Sequence, residues 1–317
     1  LYHIPLARTR QRADPLRCSP SAMRAIISTA PLAEAAWLQG MGPNPPLLDS
    51  TAIEDFLAHL REIGVAGVAA PAEDPVHHLL PGAAIPLSDL KPGRREPVLV
   101  ALVTGPARMD PDALQRSLRA SGARGLMVLS PAGGRSSLPR VALDPAGTPC
   151  LVQGPGHPEP VTNLRDTGLR IVRGAACERV LRAGLAPAPR IAGSSILADT
   201  TSCRYHRDIL SPESYLMCCY EMLTGSAGDW YGPSGTAPGS VIHPDAVVES
   251  APGGNVWLAE DVSVGKDTIL RRTVALQGAK VGRNCRLESA LVLPGARVPD
   301  GTDMSDKYLS IIGMEGE

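Results

Sequence analysis

The sequence is short of aromatic residues, and it lacks several features that would each point to a particular class of protein. Aromatic side chains make up 3% of the 317 residues and Phe56 is the only phenylalanine, so the core must consist mainly of Leu, Val, Ile and Ala. No apolar run approaches the roughly 18 residues of a membrane-spanning helix. Basic and acidic residues are balanced, 31 against 32, and no segment concentrates Lys and Arg, which argues against nucleic acid as a partner.

The seven cysteines do not form a CxxC pair, the spacing typical of zinc sites and redox motifs. An odd number of cysteines also argues against a complete disulfide framework. We therefore expect buried, reduced thiols and a cytoplasmic location. Glycine and proline, by contrast, are plentiful, with 32 and 31 residues. The many turns that they imply fit a solenoid or a loop-rich α/β fold.

The first half of the chain alternates between strand and helix patterns. Residues 24–28 are predicted to form a short buried strand. Ser50 or Thr51 can then cap a helix, with Glu54 placed as in a capping box, and the apolar residues that follow recur at helical spacing. Residues 65–69 are predicted to be the next strand. This strand–helix–strand order favours a parallel sheet.

The alternation continues to about residue 223, which predicts an α/β fold with a mostly parallel sheet. Residues 71–96 are predicted to be a loop. The remaining predicted elements are a strand at 97–103, a helix at 110–121, a strand at 125–130, a hairpin of 140–143 with 150–153, a strand at 168–173 and a helix at 175–185.

After residue 240 the pattern changes to a repeat. Valine is followed by Gly or Pro at intervals of 17 residues, at Val264, Val281 and Val298, and an aliphatic residue returns about every six positions. This spacing predicts a short left-handed parallel β-helix, in which each coil has three strands and aliphatic side chains stack inward. Residues 251–255 read as an insertion at one corner.

These patterns divide the chain into five segments. We expect an extension at 1–22, unstructured or artificial, with an Arg-rich targeting peptide as the alternative. The others are an α/β domain at 23–224, a Gly/Ser/Pro linker at 225–240, the β-helix at 241–303 and a tail at 304–317.

Residues 23–65 resemble the first segment of the sugar-phosphate nucleotidyltransferases, the NDP-sugar pyrophosphorylases that include mannose-1-phosphate guanylyltransferase. In that family a buried strand runs into a GGxGTRLxP loop, followed by P-K-P-L-L and a helix. Residues 23–27 match the strand and residues 46–48 match the end of P-K-P-L-L. The reactive positions differ: the loop glycines fall on Ala30 and Pro31, the arginine on Ala35 and the lysine on Pro45. The resemblance implies a Rossmann-like nucleotide-diphospho-sugar transferase fold followed by a hexapeptide-repeat β-helix.

Three further motifs of the family are altered in the same way. The metal-binding Gly-Asp corresponds to Gly105-Pro106, and the Glu-Lys-Pro that contacts the sugar phosphate corresponds to Gln153-Gly154-Pro155. The D-I-G-T-P-x-x-Y-L motif keeps its aspartate as Asp208.

Nucleotidyl transfer requires groups that neutralise a triphosphate and carboxylates that hold Mg²⁺. Pro31 has no N–H to offer and Ala35 has no charge. Gly105, Asp208 and Arg108 are the candidates for residual ligand binding, with Asp208 as the candidate metal ligand, and Mg²⁺ is expected only if activity is retained. The sequence therefore predicts a catalytically inactive structural or regulatory subunit. It would associate through the β-helix with itself or with an active paralogue, and with neither nucleic acid nor membrane.

Two alternatives stay open. The first is an active nucleotidyltransferase with a rearranged site around Asp208, Arg108 and Arg135. The second is a hexapeptide-repeat acyltransferase with His243 as its general base, although a histidine before Pro244 also suits a structural role. His77 and His78 could bind a metal ion, but a solvated loop is the simpler interpretation.

Overall fold

The computed structural model describes residues 23–35, 37, 38, 41, 44–48, 50–90, 96–131, 138–154, 161–173, 196–228, 239–305 and 310–313. The helices in these ranges are α1 Ala30–Glu34, α2 Ala52–Glu62, α3 Val76–Leu79, α4 Pro111–Ser121 and α5 Pro212–Leu223. Within these ranges no helix is long and apolar enough to cross a membrane.

The strands before residue 207 build the α/β part of the molecule. They are β1 Arg24–Ser28, β2 Pro46–Leu47, β3 Ser50–Thr51, β4 Gly67–Ala70, β5 Ile85–Pro86, β6 Pro97–Leu102, β7 Ala107–Met109, β8 Gly125–Pro131, β9 Arg140–Leu143, β10 Pro149–Gln153, β11 Leu164–Arg173, β12 Ile196–Asp199 and β13 Cys203–His206.

Nine of these strands form one mixed sheet, in which β5, β4, β1 and β6 lie side by side and parallel. Strand β11 follows β6 and is antiparallel both to it and to β8, while β12 pairs parallel with β8. Because the chain proceeds to one side of β1 with β4 and to the other side with β6, the strand order reverses between β1 and β6. In open α/β sheets such a reversal marks where ligands bind, outside the carboxyl ends of the strands.

Local sequence explains the central elements. The apolar run of β1 is buried on both faces, as expected for an inner strand. Helix α2 begins with the predicted capping box. The Thr51 N–H donates to the Glu54 carboxylate at 3.2 Å, and the Thr51 hydroxyl donates to it at 2.7 Å. The hairpin predicted for residues 140–153 is confirmed as the antiparallel pair β9 and β10.

Other expectations need correction. The predicted loop at 71–96 contains α3, β5 and a 3-10 turn at Leu87–Asp89. Helix α3 begins where the Asp74 carboxylate accepts the Val76 N–H at 3.1 Å and forms a turn. Strand β11 begins at Leu164, earlier than predicted. The helix expected at 175–185 lies outside the described residues. The five cysteines described are free as predicted, but only three are buried: Cys150 is exposed and Cys203 is half-buried.

The C-terminal strands stack as the 17-residue repeat predicts. They are β14 Val241–Ile242, β15 Val247–Val248, β16 Trp257–Leu258, β17 Ser263–Val264, β18 Ile269–Arg271, β19 Val274–Ala275, β20 Lys280–Val281, β21 Arg286–Glu288, β22 Ala290–Val292, β23 Arg297–Val298, β24 Asp303–Met304 and β25 Ser310–Ile312. They form three parallel sheets, and Leu270 pairs with Leu287 as the spacing requires. The aliphatic side chains inside the coils form their own core.

One outer face of the β-helix belongs to the core of the α/β part. Trp257, Val274 and Leu291, from the sheet of β14, β16, β19, β22 and β25, lie in the same buried cluster as Met222 and Leu223 of α5. Helix α5 contacts β22 directly. The two parts of the chain therefore share apolar surface.

Candidate functional site

The carboxyl ends of β1, β6 and β8, with the residues that follow them, form what we call the carboxyl edge. After β1, Thr29 is bound to Asp74 of the segment after β4. The Thr29 N–H donates to Asp74 Oδ2 at 2.8 Å, and its hydroxyl donates to Oδ1 at 2.5 Å. Both residues are buried. A carboxylate of the chain itself thus takes up the first N–H of the loop after β1.

The loop after β1 folds into α1, with Ala30 and Pro31 in its first turn, where a missing N–H does no harm. Ala35 ends the helix in an extended conformation. Leu32 is fully buried. At the altered lysine position, Pro45 is buried and its carbonyl accepts the Ala52 N–H at 3.1 Å. The altered positions are therefore part of a packed structure.

Trp37 extends this packing across the carboxyl edge. Its indole N–H donates to the Ile209 carbonyl at 3.2 Å, and its ring centroid lies 5.2 Å from that of Tyr215. The Tyr215 hydroxyl donates to the Pro46 carbonyl at 2.8 Å. These contacts join the loop after β1 to the segment around Asp208. No local pattern identifies Trp37, because its partners lie about 170 residues away in the chain.

Gly105 has a packing role. A Cβ there would lie 2.2 Å from the Arg207 carbonyl oxygen. The close approach lets the Ile209 N–H donate to the Thr104 carbonyl at 2.8 Å, while the carbonyl of the buried Pro106 accepts the Arg207 N–H at 3.2 Å. The glycine is needed so that the two backbone segments can pair.

Asp208 is fully buried beside a guanidinium group. Its Oδ2 lies 3.8 Å from Nη1 of Arg165, a residue of β11 with 3% exposure. Arg165 Nε donates to Ser130 Oγ at 2.9 Å, and Nη2 donates to the His206 carbonyl. Sequence reasoning missed Arg165, since β11 was predicted to begin after it. Antiparallel pairing is what brings this residue to the carboxyl edge.

His206 is a second buried residue that the sequence did not single out. Its Nε2 lies 3.2 Å from Thr104 Oγ1. Burial, with the nearby positive charges of Arg165 and Arg207, holds the pKa of His206 well below its usual value. The ring is therefore neutral at neutral pH.

Arg108 is directed at helix α2. Its Nη1 and Nη2 donate to the two carboxylate oxygens of Asp55, at 2.9 and 2.6 Å. Next to it, the Met109 N–H donates to Nε2 of His59 at 2.9 Å. Such a two-pronged ion pair is strong and geometrically specific. The structure thus brings Gly105 and Asp208 together and gives Arg108 a contact on α2.

The residues here do not suit Mg²⁺, the ion that the family resemblance implies. Magnesium takes oxygen ligands and keeps several waters, whereas Asp208 has no exposed surface and faces a guanidinium group. Among the described residues no group of three or more His, Cys, Asp or Glu side chains could hold a metal ion. His77 Nε2 lies 2.9 Å from the Pro71 carbonyl oxygen instead.

The other candidates lie away from this cluster. Gly154 is exposed at the end of β10, while Pro155 and Arg135 lie outside the described residues. In the first coil, His243 Nδ1 accepts the Asp245 N–H at 3.2 Å and lies 3.7 Å from Asp245 Oδ2.

Comparison with curated proteins finds no matching relative. Comparison with protein families matches residues 228–307 to the family described as "GlmU-like, C-terminal hexapeptide". Between residues 241 and 304 that match covers the stacked parallel strands β14 to β24. The C-terminal part of the chain is therefore a hexapeptide-repeat β-helix similar to that of the GlmU-like family.

Proposed function

We propose that this chain is a nucleotidyltransferase-like protein, related to the NDP-sugar pyrophosphorylases, that does not transfer nucleotides and acts as a structural or regulatory subunit. One observation carries the proposal: charged side chains of the chain itself occupy the carboxyl edge and are bound there by other groups of the chain. Asp74 accepts the N–H of Thr29, and Arg165 lies beside Asp208.

The physical argument concerns what catalysis would require there. Phosphoryl transfer chemistry depends on cations placed around the phosphates and on a metal held by carboxylates. The carboxylate of Asp74 would repel a phosphate group close to Thr29, and a metal ion at Asp208 would have to displace a buried arginine. Displacing a buried charge from its counter-charge carries a large desolvation penalty. A Mg²⁺–nucleotide complex therefore has no favourable place at this edge.

The relationship to the family is supported by the order of the elements. A reversal of strand order lies between β1 and β6, next to the positions where the family motifs align. A hexapeptide-repeat β-helix then follows the α/β part, as it does in the proteins that the sequence resembles. The loss of charged residues at several separated motifs, with the surrounding elements kept, favours a role in assembly over catalysis.

The β-helix is the proposed assembly surface. Its first coil ends in the edge strands β14 and β15, whose apolar residues Ile242 and Val247 are 38% and 63% exposed. Exposed strand edges with apolar side chains are templates for pairing with another chain. We propose homo- or hetero-oligomers formed through this domain, in the cytoplasm, with an active nucleotidyltransferase paralogue as the candidate hetero-partner.

A turnover assay tests the loss of activity. The purified protein is incubated with NTPs, a panel of sugar 1-phosphates and Mg²⁺, and pyrophosphate release is measured against an active pyrophosphorylase as positive control. We expect no release above the blank. Turnover that disappears in the Asp208→Ala variant would contradict the proposal and favour the active alternative.

The family match at residues 228–307 favours one other candidate, a hexapeptide-repeat acyltransferase, since the matched segment contains His243. Its geometry counts against a base at Nδ1, because that nitrogen already accepts the Asp245 N–H. If acyl transfer is detected, the His243→Ala variant decides: an unchanged rate would remove His243 as the general base.

A further inference from the structure

Arg165 occupies a setting made of oxygen atoms from separate segments. Its guanidinium group is surrounded by Ser130 Oγ from β8, the His206 carbonyl oxygen from β13 and Asp208 Oδ2 from the segment after β13. Hydroxyl, carbonyl and carboxylate oxygens are also the donors that hard divalent cations prefer. Here they converge on a side chain of the same molecule.

The position of this cation is fixed by the sheet. Arg165 pairs across β11 with Ser130 of β8 and with Arg140 of β9. Just beyond it, Asp166 accepts the Gly168 N–H at 2.9 Å, where the pairing with β8 shifts register. Arg165 therefore enters the carboxyl edge from a rigid strand, and its charge cannot leave the site as a free ion could.

The two residues that precede Asp208 in the chain have contacts of their own. His206, whose carbonyl binds Arg165, is buried and neutral. Arg207 is turned to Glu221, to which its Nε donates at 3.1 Å. Among the described contacts, Arg165 is thus the cation that faces the buried carboxylate, and its Nε and Nη2 are held by oxygen atoms of β8 and β13.

We propose that the guanidinium group of Arg165 is a permanent internal cation that takes the place of an exchangeable divalent ion at Asp208. On this view the segment from Cys203 to Ile209 is held against the sheet without any metal, and the carboxyl edge keeps one conformation whether or not Mg²⁺ is present. The inference rests on the proposed function, since it explains how the fold at this edge persists without a bound metal–nucleotide complex.

A double-mutant cycle tests the pairing. Arg165→Met keeps the length of the side chain and removes its charge, and we expect its Tm to fall by several degrees because buried Asp208 loses this counter-charge. Asp208→Asn alone should also lower the Tm. In Arg165→Met/Asp208→Asn the second change should restore part of the loss, since the amide needs no counter-charge. A double variant no more stable than Arg165→Met would overturn the proposal.

Mn²⁺ binding to the full chain, measured by electron paramagnetic resonance, tests whether Arg165 occupies a place where a divalent ion could bind. We expect no Mn²⁺ binding to the wild type that depends on Asp208, and weak binding to Arg165→Ala that is lost in Arg165→Ala/Asp208→Asn. Wild-type binding abolished by Asp208→Asn would overturn the proposal, and so would the absence of any gain in Arg165→Ala.

Arg165→Lys guards against variants that fail to fold. The lysine keeps the positive charge but lacks the planar set of N–H donors of the guanidinium group. Its Tm should lie between those of the wild type and Arg165→Met. The outcomes are separable from the proposed function, because nucleotide turnover is measured on the wild type, whereas the cycle measures only the Arg165–Asp208 pair.

Discussion

Several corner residues of the β-helix hold the left-handed backbone conformation. Asp261 has φ of 58°, and its equivalents in the next two coils are Gly278 and Gly295, with φ of 71° and 69°. Glycine adopts this conformation without the steric penalty that a Cβ introduces. The repeat thus places glycine where the turn requires it, and aspartate is one of the few other residues that tolerate it.

Gly278→Ala is expected to destabilise the protein through backbone strain alone. The added Cβ would have free space, since the nearest atom lies 3.9 Å away. The left-handed conformation should nevertheless cost roughly 1–2 kcal/mol in the free energy of unfolding. Urea denaturation measures it. The matched control is Gly254→Ala, where space is also free but φ is not positive, and an equal loss there would contradict the explanation.

Gly105→Ala tests whether close backbone packing explains the glycine at this position. Its Cβ would meet the Arg207 carbonyl oxygen, so the paired segments must separate. We expect a loss of roughly 3 kcal/mol. Gly154→Ala, at an open position, serves as the control. A Gly105→Ala variant as stable as the wild type in thermal unfolding would show that the segments can move apart freely.

At the scale of elements, β13 and the segment after it should respond to pH through His206. Its pKa in the folded state lies below the ordinary 6.5, because of burial and then Arg165 and Arg207, so below that pH the unfolded chain binds the extra proton. Stability is therefore present above about pH 6.5 and is lost as the pH falls below it. The Thr104 hydroxyl faces the ring, 3.2 Å from Nε2, and Arg165 and Arg207 are the charged groups near it.

Thermal unfolding between about pH 7.5 and 5 measures this effect. The His206→Gln variant should have a smaller fall in Tm on acidification than the wild type. Part of the fall should persist, because burial and then Arg108 also lower the pKa of His59. His243→Gln, which replaces a half-exposed imidazole, is the control. Equal slopes for the wild type and His206→Gln would refute the assignment.

The elements also divide into those that the sequence could predict and those it could not. The capping box of α2 and the 17-residue register of the β-helix depend on residues close in sequence or on a repeat, so local patterns predict them. The direction of β11 depends on pairing with β6, about 70 residues away, and no local pattern encodes it. For the same reason Gly105 and Asp208 are found by motif, whereas no local pattern identifies Arg165 as the partner of Asp208 or Asp74 as the partner of Thr29.

At the scale of the whole molecule, the shared core predicts that the α/β part and the β-helix unfold together. Trp257→Ala removes a buried ring from the core cluster that also contains residues of α5 and should cost about 3–5 kcal/mol. The unfolding curves followed by far-ultraviolet and by near-ultraviolet circular dichroism should coincide, and the mutation should lower the midpoint of both. Ile269→Ala, on an exposed outer position of another sheet, is the control. Two separate transitions, with only one displaced, would contradict the shared core.

A substitution that introduces one charge tests whether the protein associates through the first coil of the β-helix. Val247→Glu on β15 places a carboxylate at the most exposed apolar position of the described β-helix, and we expect it to shift the mass measured by light scattering towards the monomer. Ile85→Glu, at the edge of the nine-stranded sheet, is the matched control. A wild type that is monomeric at every concentration would remove the basis of the proposed assembly.

The contact between α5 and the β-helix also governs how the chain can be made. Helix α5 ends at Leu223, but the β-helix side chains of the core cluster to which it belongs, Trp257, Val274 and Leu291, are synthesised 34 to 68 residues later. A nascent chain in which only the α/β part has been synthesised therefore has apolar side chains on α5 that lack their β-helix partners. Truncation before the third coil leaves the same face bare, so premature termination should yield aggregates and chaperone clients rather than a smaller working domain.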